Sequence, residues 1–182
     1  TLKNEVAQIQ FHRPDSTAFL RLHMPENHGD SLRDFRFTVN EANEKQAIVQ
    51  GLEEGRGGYG FRVVVPMSHL GRHTGSVEYG SNFGNQFLEN LKEQFGGDYF
   101  IYTLTDESVS WQEGQEENTF LAGTLETDIW QDSPDVIPPV LAGQLVSRLS
   151  EDENQSVLLI PYHDYQGNVG GYIKAVLDRS AI

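Results

Sequence analysis

Val64-Val65-Pro66, followed by Gly71 and then by Gly75 ahead of Ser76-Val77-Glu78, returns later in the chain as Leu159-Ile160-Pro161, Gly167 and Gly171 ahead of Tyr172-Ile173-Lys174. Each copy reads as an apolar strand, a proline, a tight turn at the first glycine and a second glycine opening the return strand. Proline is confined to strand ends and edges and glycine permits the turn, so every marked position has a backbone reason. Pro66 and Pro161 lie 95 residues apart, and Gly71 and Gly167 lie 96 apart. The spacing implies an internal duplication into two related α+β modules of roughly 80–100 residues. The modules are expected over residues 1–80 and 81–182.

The flanking segments agree with that division. Val6 to Phe11 alternates as a strand, and Thr17 to Leu22 reads as a second. Asp30 or Ser31 is placed to cap a helix over Leu32 to Asn43, with Leu32, Phe35, Val39 and Ala42 as its apolar stripe. Lys45 to Gly51 is extended, and Glu54 to Gly60 is a glycine-dense hairpin connection. Phe61 to Pro66 and Thr74 to Gly80 complete the first set of strands. The second half repeats the plan with a helix over Asn82 to Phe95, stopped by Gly96-Gly97. Strands follow at Tyr99 to Leu104 and Phe120 to Leu125, a helix lies within Pro134 to Leu149, and strands Val157 to Tyr162 and Val169 to Leu177 close the chain. Acidic, turn-rich Thr105 to Asn118 reads as an exposed loop.

Composition removes whole classes of function. The 182 residues carry 13 Lys plus Arg against 27 Asp plus Glu, a formal net charge of −14, and no cysteine. A surface this acidic repels polyanions, so no nucleic-acid partner is expected. The absence of cysteine removes disulfides, thiolate nucleophiles and Cys-ligated metals. His12, His23, His28 and Asp30 do not match a recognised metal spacing, and His69 and His73 flank a hairpin tip, so no metal and no cofactor is expected. Ser76 and Ser110 lack the context of a nucleophile, and no carboxylate pair stands out as acid and base, so no catalytic residue is assigned. No apolar run is long enough to span a membrane.

One stretch is recognisable. Phe19-Leu20-Arg21-Leu22-His23-Met24-Pro25, Gly29-Asp30-Ser31-Leu32 and Phe35-Arg36 lead into Gly51-Leu52-Glu53-Glu54-Gly55-Arg56-Gly57-Gly58-Tyr59-Gly60-Phe61-Arg62, then Pro66, Gly71 and Gly75-Ser76-Val77-Glu78-Tyr79-Gly80. Residues 6–80 closely resemble the first module of bacterial and archaeal double Cache sensors, the extracytoplasmic ligand-binding regions of chemoreceptors, sensor kinases and diguanylate cyclases. Residues 81–182 match in element order alone. The resemblance implies two PAS-like modules, each an antiparallel sheet flanked by helices, and small-molecule binding instead of catalysis. It implies a periplasmic or extracellular location between flanking transmembrane helices, a homodimer, and a signal leaving through the last strand. A methyl-accepting chemotaxis receptor is the expected type. The long N-terminal helix usual in such sensors is missing, which fits a region cut from a longer receptor. The competing reading is a module that recognises a ligand-loaded periplasmic binding protein and binds no small molecule itself.

The residues of the first module suggest what such a site takes. Arg21, Arg33, Arg36, Arg56 and Arg62 are five of the 13 basic residues, interleaved with His23, Asp30, Glu53 and Tyr59. An arginine fork pairs with a carboxylate through two parallel hydrogen bonds, and in a chain of −14 a cluster of them is what reverses the local field. The expected ligand is therefore a small organic anion, lined by Arg21, His23, Asp30, Arg36, Glu53, Arg56 and Tyr59. The alternative leaves Arg21 and His23 facing solvent, if Leu20 and Leu22 face the core, and leaves Glu53 and Arg56 merely bracing the hairpin. In the second module, Tyr99, Tyr102, Trp111, Trp130, Tyr162 and Tyr172 beside Asp128, Asp132 and Asp164 would suit an amine, although aromatics on strands more often pack.

Overall fold

The repeated proline–glycine pattern is two copies of one bulged hairpin. The structure, a computed structural model, describes residues 7–55, 58–103, 119–130, 132–150 and 152–179. In the first copy, β4 (Gly58–His69) pairs with β5 (Arg72–Asn82) through a turn at Leu70-Gly71, both with positive φ. That is the two-residue turn whose twist matches antiparallel strands. In the second copy, β9 (Gln155–His163) pairs with β10 (Val169–Asp178). Registers slip at equivalent points, Met67/Ser68 in one and Val169/Gly171 in the other. The bulge glycines are also equivalent. A Cβ on Gly75 would lie 1.9 Å from the His12 carbonyl oxygen, and one on Gly171 would lie 2.0 Å from that of Tyr102. Both have left-handed φ, +129° and +153°. Only glycine lets the neighbouring strand come this close.

Around each hairpin the same sheet is built. The first unit adds β1 (Gln8–His12), β2 (Ala18–Arg21), α1 (Phe37–Lys45) and β3 (Val49–Gly55), in the antiparallel order β2-β1-β5-β4-β3. The second adds α2 (Asn85–Phe95), β6 (Asp98–Thr103), β7 (Thr119–Gly123), α3 (Ile137–Leu141) and β8 (Val146–Leu149), in the order β7-β6-β10-β9-β8. The two orders are the same permutation. The fold is α+β with two PAS-like modules, and the chain divides into compact units between Phe83 and Gly84. Among the described residues no helix is long and apolar enough to cross a membrane.

Two local expectations need correction, and one is made more precise. The first helix starts at Phe37, not Leu32, and neither Asp30 nor Ser31 caps it. Ser31 instead bridges Thr17, and a turn after it leads into α1. Leu32 and Phe35 still join Val39 and Ala42 in the core with Ala18 and Val64, so the stripe is right and the helix is not. The helix expected within Pro134 to Leu149 is present there, as the five residues of α3. Pro138 and Pro139 fix its first turn, Gly143 follows it at φ +79°, and the chain re-enters the sheet as β8. His73 is not a bare hairpin tip, since its Nε2 lies 3.1 Å from Asn43 Oδ1. The expected acidic loop, Thr105 to Asn118, lies outside the described residues, as does Arg56.

Candidate functional site

Strand alternation normally puts apolar side chains inside. The first sheet reverses this. Gln10, His12, Ser76, Glu78, Arg62 and Glu53 are buried on the face that α1 covers, with Glu78 and Ser76 at 0% exposure. On the opposite face Phe61, Val63 and Tyr79 are 40%, 37% and 45% exposed. Burying so many polar groups is unfavourable unless they satisfy one another.

They do so around Glu78. Its Oε1 accepts from Gln8 Nε2 at 3.1 Å and from Arg62 Nη1 at 3.4 Å. Its Oε2 accepts from Arg36 Nη2 and lies 3.8 Å from His12 Nε2. Arg36 spans to a second carboxylate, donating Nε to Glu53 Oε2 at 2.9 Å. Glu53 in turn accepts the Thr38 backbone N–H at 2.8 Å and the Thr38 hydroxyl. The carboxylate that caps α1 thus comes from β3, fifteen residues on, and meets the positive end of the helix. Burial works against the charge on Glu78, but Arg36 and Arg62 hold its pKa below the ordinary carboxylate value. Burial likewise opposes the Arg36 charge, and Glu78 and Glu53 hold its pKa above the ordinary value. Burial lowers Arg62 to about 10, aided by the neighbouring Arg36 charge, so it stays cationic at neutral pH.

His12 is the neutral member. Burial lowers its pKa from 6.5 to about 4 despite the attraction of Glu78. Below pH 6.5 the unfolded chain takes up a proton that the folded chain refuses until about pH 4. Stability therefore falls as pH drops through that window, by ~2 kcal/mol at pH 5. Urea melts of wild type and His12→Gln at pH 7 and pH 5 should show the variant losing less. Equal losses would remove His12 from the account.

A cavity of about 180 Å³ opens against this network. Gln8, Gln10 and Arg21 reach it from β1 and β2, and Gly55 and Arg62 from β3 and β4. His23, Met24 and Asn27 close it from the loop after β2, and Leu32, Phe35 and Arg36 from the segment before α1. Arg21 is held in place by Asp30 through two hydrogen bonds of 2.7 and 2.9 Å and by the Asn27 carbonyl at 2.6 Å. Of the residues expected at the site, Arg21, His23 and Arg36 line the cavity. Asp30 and Glu53 stand behind it, holding Arg21 and Arg36. Tyr59 pairs with Glu54 in register and alternates onto the other face of the sheet with Phe61 and Val63. Gln8, Gln10 and Arg62 were not expected. Two of these carry buried donors with no hydrogen-bond partner among the described residues, Gln10 Nε2 and Arg62 Nε.

The second unit is built differently. Lys174 is 0% exposed, and its ammonium lies 2.7 Å from Asp128 Oδ2 and 3.1 Å from Asp132 Oδ2, with the Trp130 carbonyl as a third acceptor. Tyr102 donates to Asp128 at 2.6 Å and stacks on Tyr172 at 4.9 Å. Burial and that hydrogen bond hold its hydroxyl well above the ordinary phenol pKa, so it remains a donor. The acidic, aromatic cluster that would suit an amine already holds one, the chain's own. A cavity of about 500 Å³ lies beside Trp130, Arg148 and Gln155. Trp130 Nε1 donates to Gln155 Oε1 at 2.6 Å, and Arg148 pairs with Asp132 at 2.7 Å.

The whole chain, residues 1–182, matches the family model described as the double sensory domain of two-component sensor kinase. No curated protein sequence matches it. Among solved structures it is similar to an extracellular ligand-binding receptor from Desulfohalobium retbaense, at 12% identity and a TM-score of 0.52, covering 94% of this chain and 29% of that one. The chain thus spans less than a third of that receptor. It is also similar to the periplasmic domain of Vibrio cholerae LuxQ, at 12% identity and a TM-score of 0.46, covering 98% and 74% of the two chains. A third is the ligand-binding domain of the Pseudomonas aeruginosa amino-acid chemoreceptor PctC in complex with GABA, at 16% identity and a TM-score of 0.43, covering 94% and 74%.

Proposed function

We propose, from the premise that this chain belongs to the family of double sensory domains of two-component sensor kinases, that it is the extracytoplasmic sensor region of a membrane receptor and binds a small organic anion in its first unit. The observation that carries the reading is the cavity wall. In a chain of net charge −14, Arg21, Arg36 and Arg62 converge on one cavity of about 180 Å³. Asp30, Glu53 and Glu78 balance these charges, so the wall lacks the negative excess of the chain as a whole and offers guanidinium donors to an anion. Its partners in this reading are the small molecule, a second copy of the chain and the receptor's membrane helices, with a chemotaxis receptor as the type. β10 is the last strand, so displacement of β5 against β1 and β4 in the first unit has a direct counterpart in the second, where β10 lies between β6 and β9.

A thermal-shift screen against carboxylates, amino acids and amines tests the reading. A ligand present at 100 times its Kd should stabilise the fold by ~2.7 kcal/mol. The expected result is stabilisation by carboxylates. Silence from every small molecule, with stabilisation by a ligand-loaded periplasmic binding protein, would replace direct sensing by protein recognition.

A further inference from the structure

Glycine marks three adjacent strands at one spot. A Cβ on Gly55 would lie 3.2 Å from Arg62 Nη2, one on Gly60 would lie 3.0 Å from Arg62 Cζ, and one on Gly80 would lie 2.7 Å from Arg62 Nη1. None of the three has a left-handed φ. They are glycine for space: together they form a bare patch on which the Arg62 guanidinium lies against the sheet. Flanking the patch, Arg62 makes poor use of its donors. Its contacts to Glu78 and to the Gly58 carbonyl are 3.4 and 3.5 Å, and its Nε has none. Arg36, lining the same cavity, is by contrast held by two carboxylates.

The acceptors tell the opposite story. Both oxygens of Glu78, both of Glu53 and both of Asp30 already receive hydrogen bonds. The cavity wall thus includes two residues, Arg62 and Gln10, whose buried Nε and Nε2 donors have no partner among the described residues, and no uncommitted carboxylate among these three. A buried donor left unpaired is costly, and an acceptor that fills it recovers that cost. An ammonium group would instead have to share carboxylates already bound to buried arginines, and it would bring a further positive charge beside them.

We infer that Arg62, seated on Gly55, Gly60 and Gly80, and Gln10 form the head-group subsite of the first unit, and that this subsite takes a small carboxylate that carries no ammonium group. The inference rests on the anion-binding reading above and adds the anchoring atoms and the ligand class. Lactate and alanine form the sharpest pair, since they differ in a hydroxyl against an ammonium on the same carbon.

Calorimetric titration of the wild-type chain with acetate, propionate, lactate and succinate, and with glycine, alanine and aspartate, tests it. The carboxylates should bind, and the amino acids should bind at least about tenfold more weakly. Arg62→Met should abolish binding, and Gln10→Ala should weaken it by about tenfold. Because Arg62→Met also removes a partner of Glu78, Gly80→Ala is the companion variant. Its Cβ would lie 2.7 Å from Arg62 Nη1 and from Gln8 Cγ and so displaces both side chains while every charge remains, so carboxylate binding should weaken with a smaller loss of stability than in Arg62→Met. Alanine binding as tightly as lactate overturns the ligand class. Carboxylate binding unchanged in Gln10→Ala and Gly80→Ala overturns the anchor and leaves the anion reading standing. A wild type that binds no carboxylate overturns both.

Discussion

Arg36→Met should destabilise the first unit by ~3–5 kcal/mol, the range for a buried ion pair that loses one partner. The side chain is 4% exposed and lies between two carboxylates, 2.9 Å from Glu53 and in contact with Glu78. Without it, Glu78 keeps the longer Arg62 contact and the Gln8 amide, and Glu53 keeps Thr38. Neither set replaces a guanidinium. Hydrogen exchange should report the loss as faster exchange throughout β3, β4 and β5. Arg36→Lys should recover only part of it, because one ammonium lacks the fork that reaches both acids. The contrast is Arg21→Ala. Its partner Asp30 has a side chain 27% exposed, so the same kind of deletion should cost ~1 kcal/mol or less. If the two variants melt alike, the buried network is not what holds this sheet to α1.

Lys174→Met carries a similar expected loss, ~3–5 kcal/mol, in the second unit. Methionine fills the volume, so the effect isolates charge from cavity formation. Asp128 and Asp132 would then face each other with Arg148 the remaining cation, bound to Asp132. Adding Asp128→Asn should restore part of the stability, since the amide oxygen can still accept from Tyr102 while one negative charge is gone. Urea melts followed by tryptophan emission read both variants through Trp130, whose carbonyl is a Lys174 partner. A double variant no more stable than the single one would show that Lys174 acts through packing.

The parts of the fold that follow backbone rules were legible in the sequence. Pro66 and Pro161, Gly71 and Gly167, and Gly75 and Gly171 occupy equivalent turn and bulge positions, and the two sheets they belong to have one strand order. Gly96 ends α2 where expected, its N–H returning to the Lys92 carbonyl. What failed was non-local. α1 takes its N-terminal anion from Glu53, and no rule read along residues 30–37 could supply it. The site was half legible for a related reason. Ser76-Val77-Glu78-Tyr79-Gly80 alternates cleanly, but alternation says only that two faces exist. The usual assumption sends Glu78 to solvent, and the structure sends Tyr79 there instead. Arg62 was counted among the clustered arginines but not among the lining residues, because its strand alone does not say which face is buried. Lys174 left a clearer trace. A single cation among Tyr172, Ala175 and Val176 on a strand apolar on both faces has nowhere to go but inward, and so requires acids nearby.

That lysine makes the two halves of a duplicated architecture unequal in how they answer to solutes. In the second unit the acidic, aromatic cluster is occupied by the ammonium of Lys174 from β10, and a tethered group is held at constant effective concentration. In the first unit, Gln10 and Arg62 line a cavity and carry buried donors with no hydrogen-bond partner among the described residues. On the proposed reading, the carboxylate site is confined to the first unit. Hydrogen-exchange protection that rises across β1 to β5 on adding a carboxylate, while β6 to β10 hold steady, would be this asymmetry seen directly.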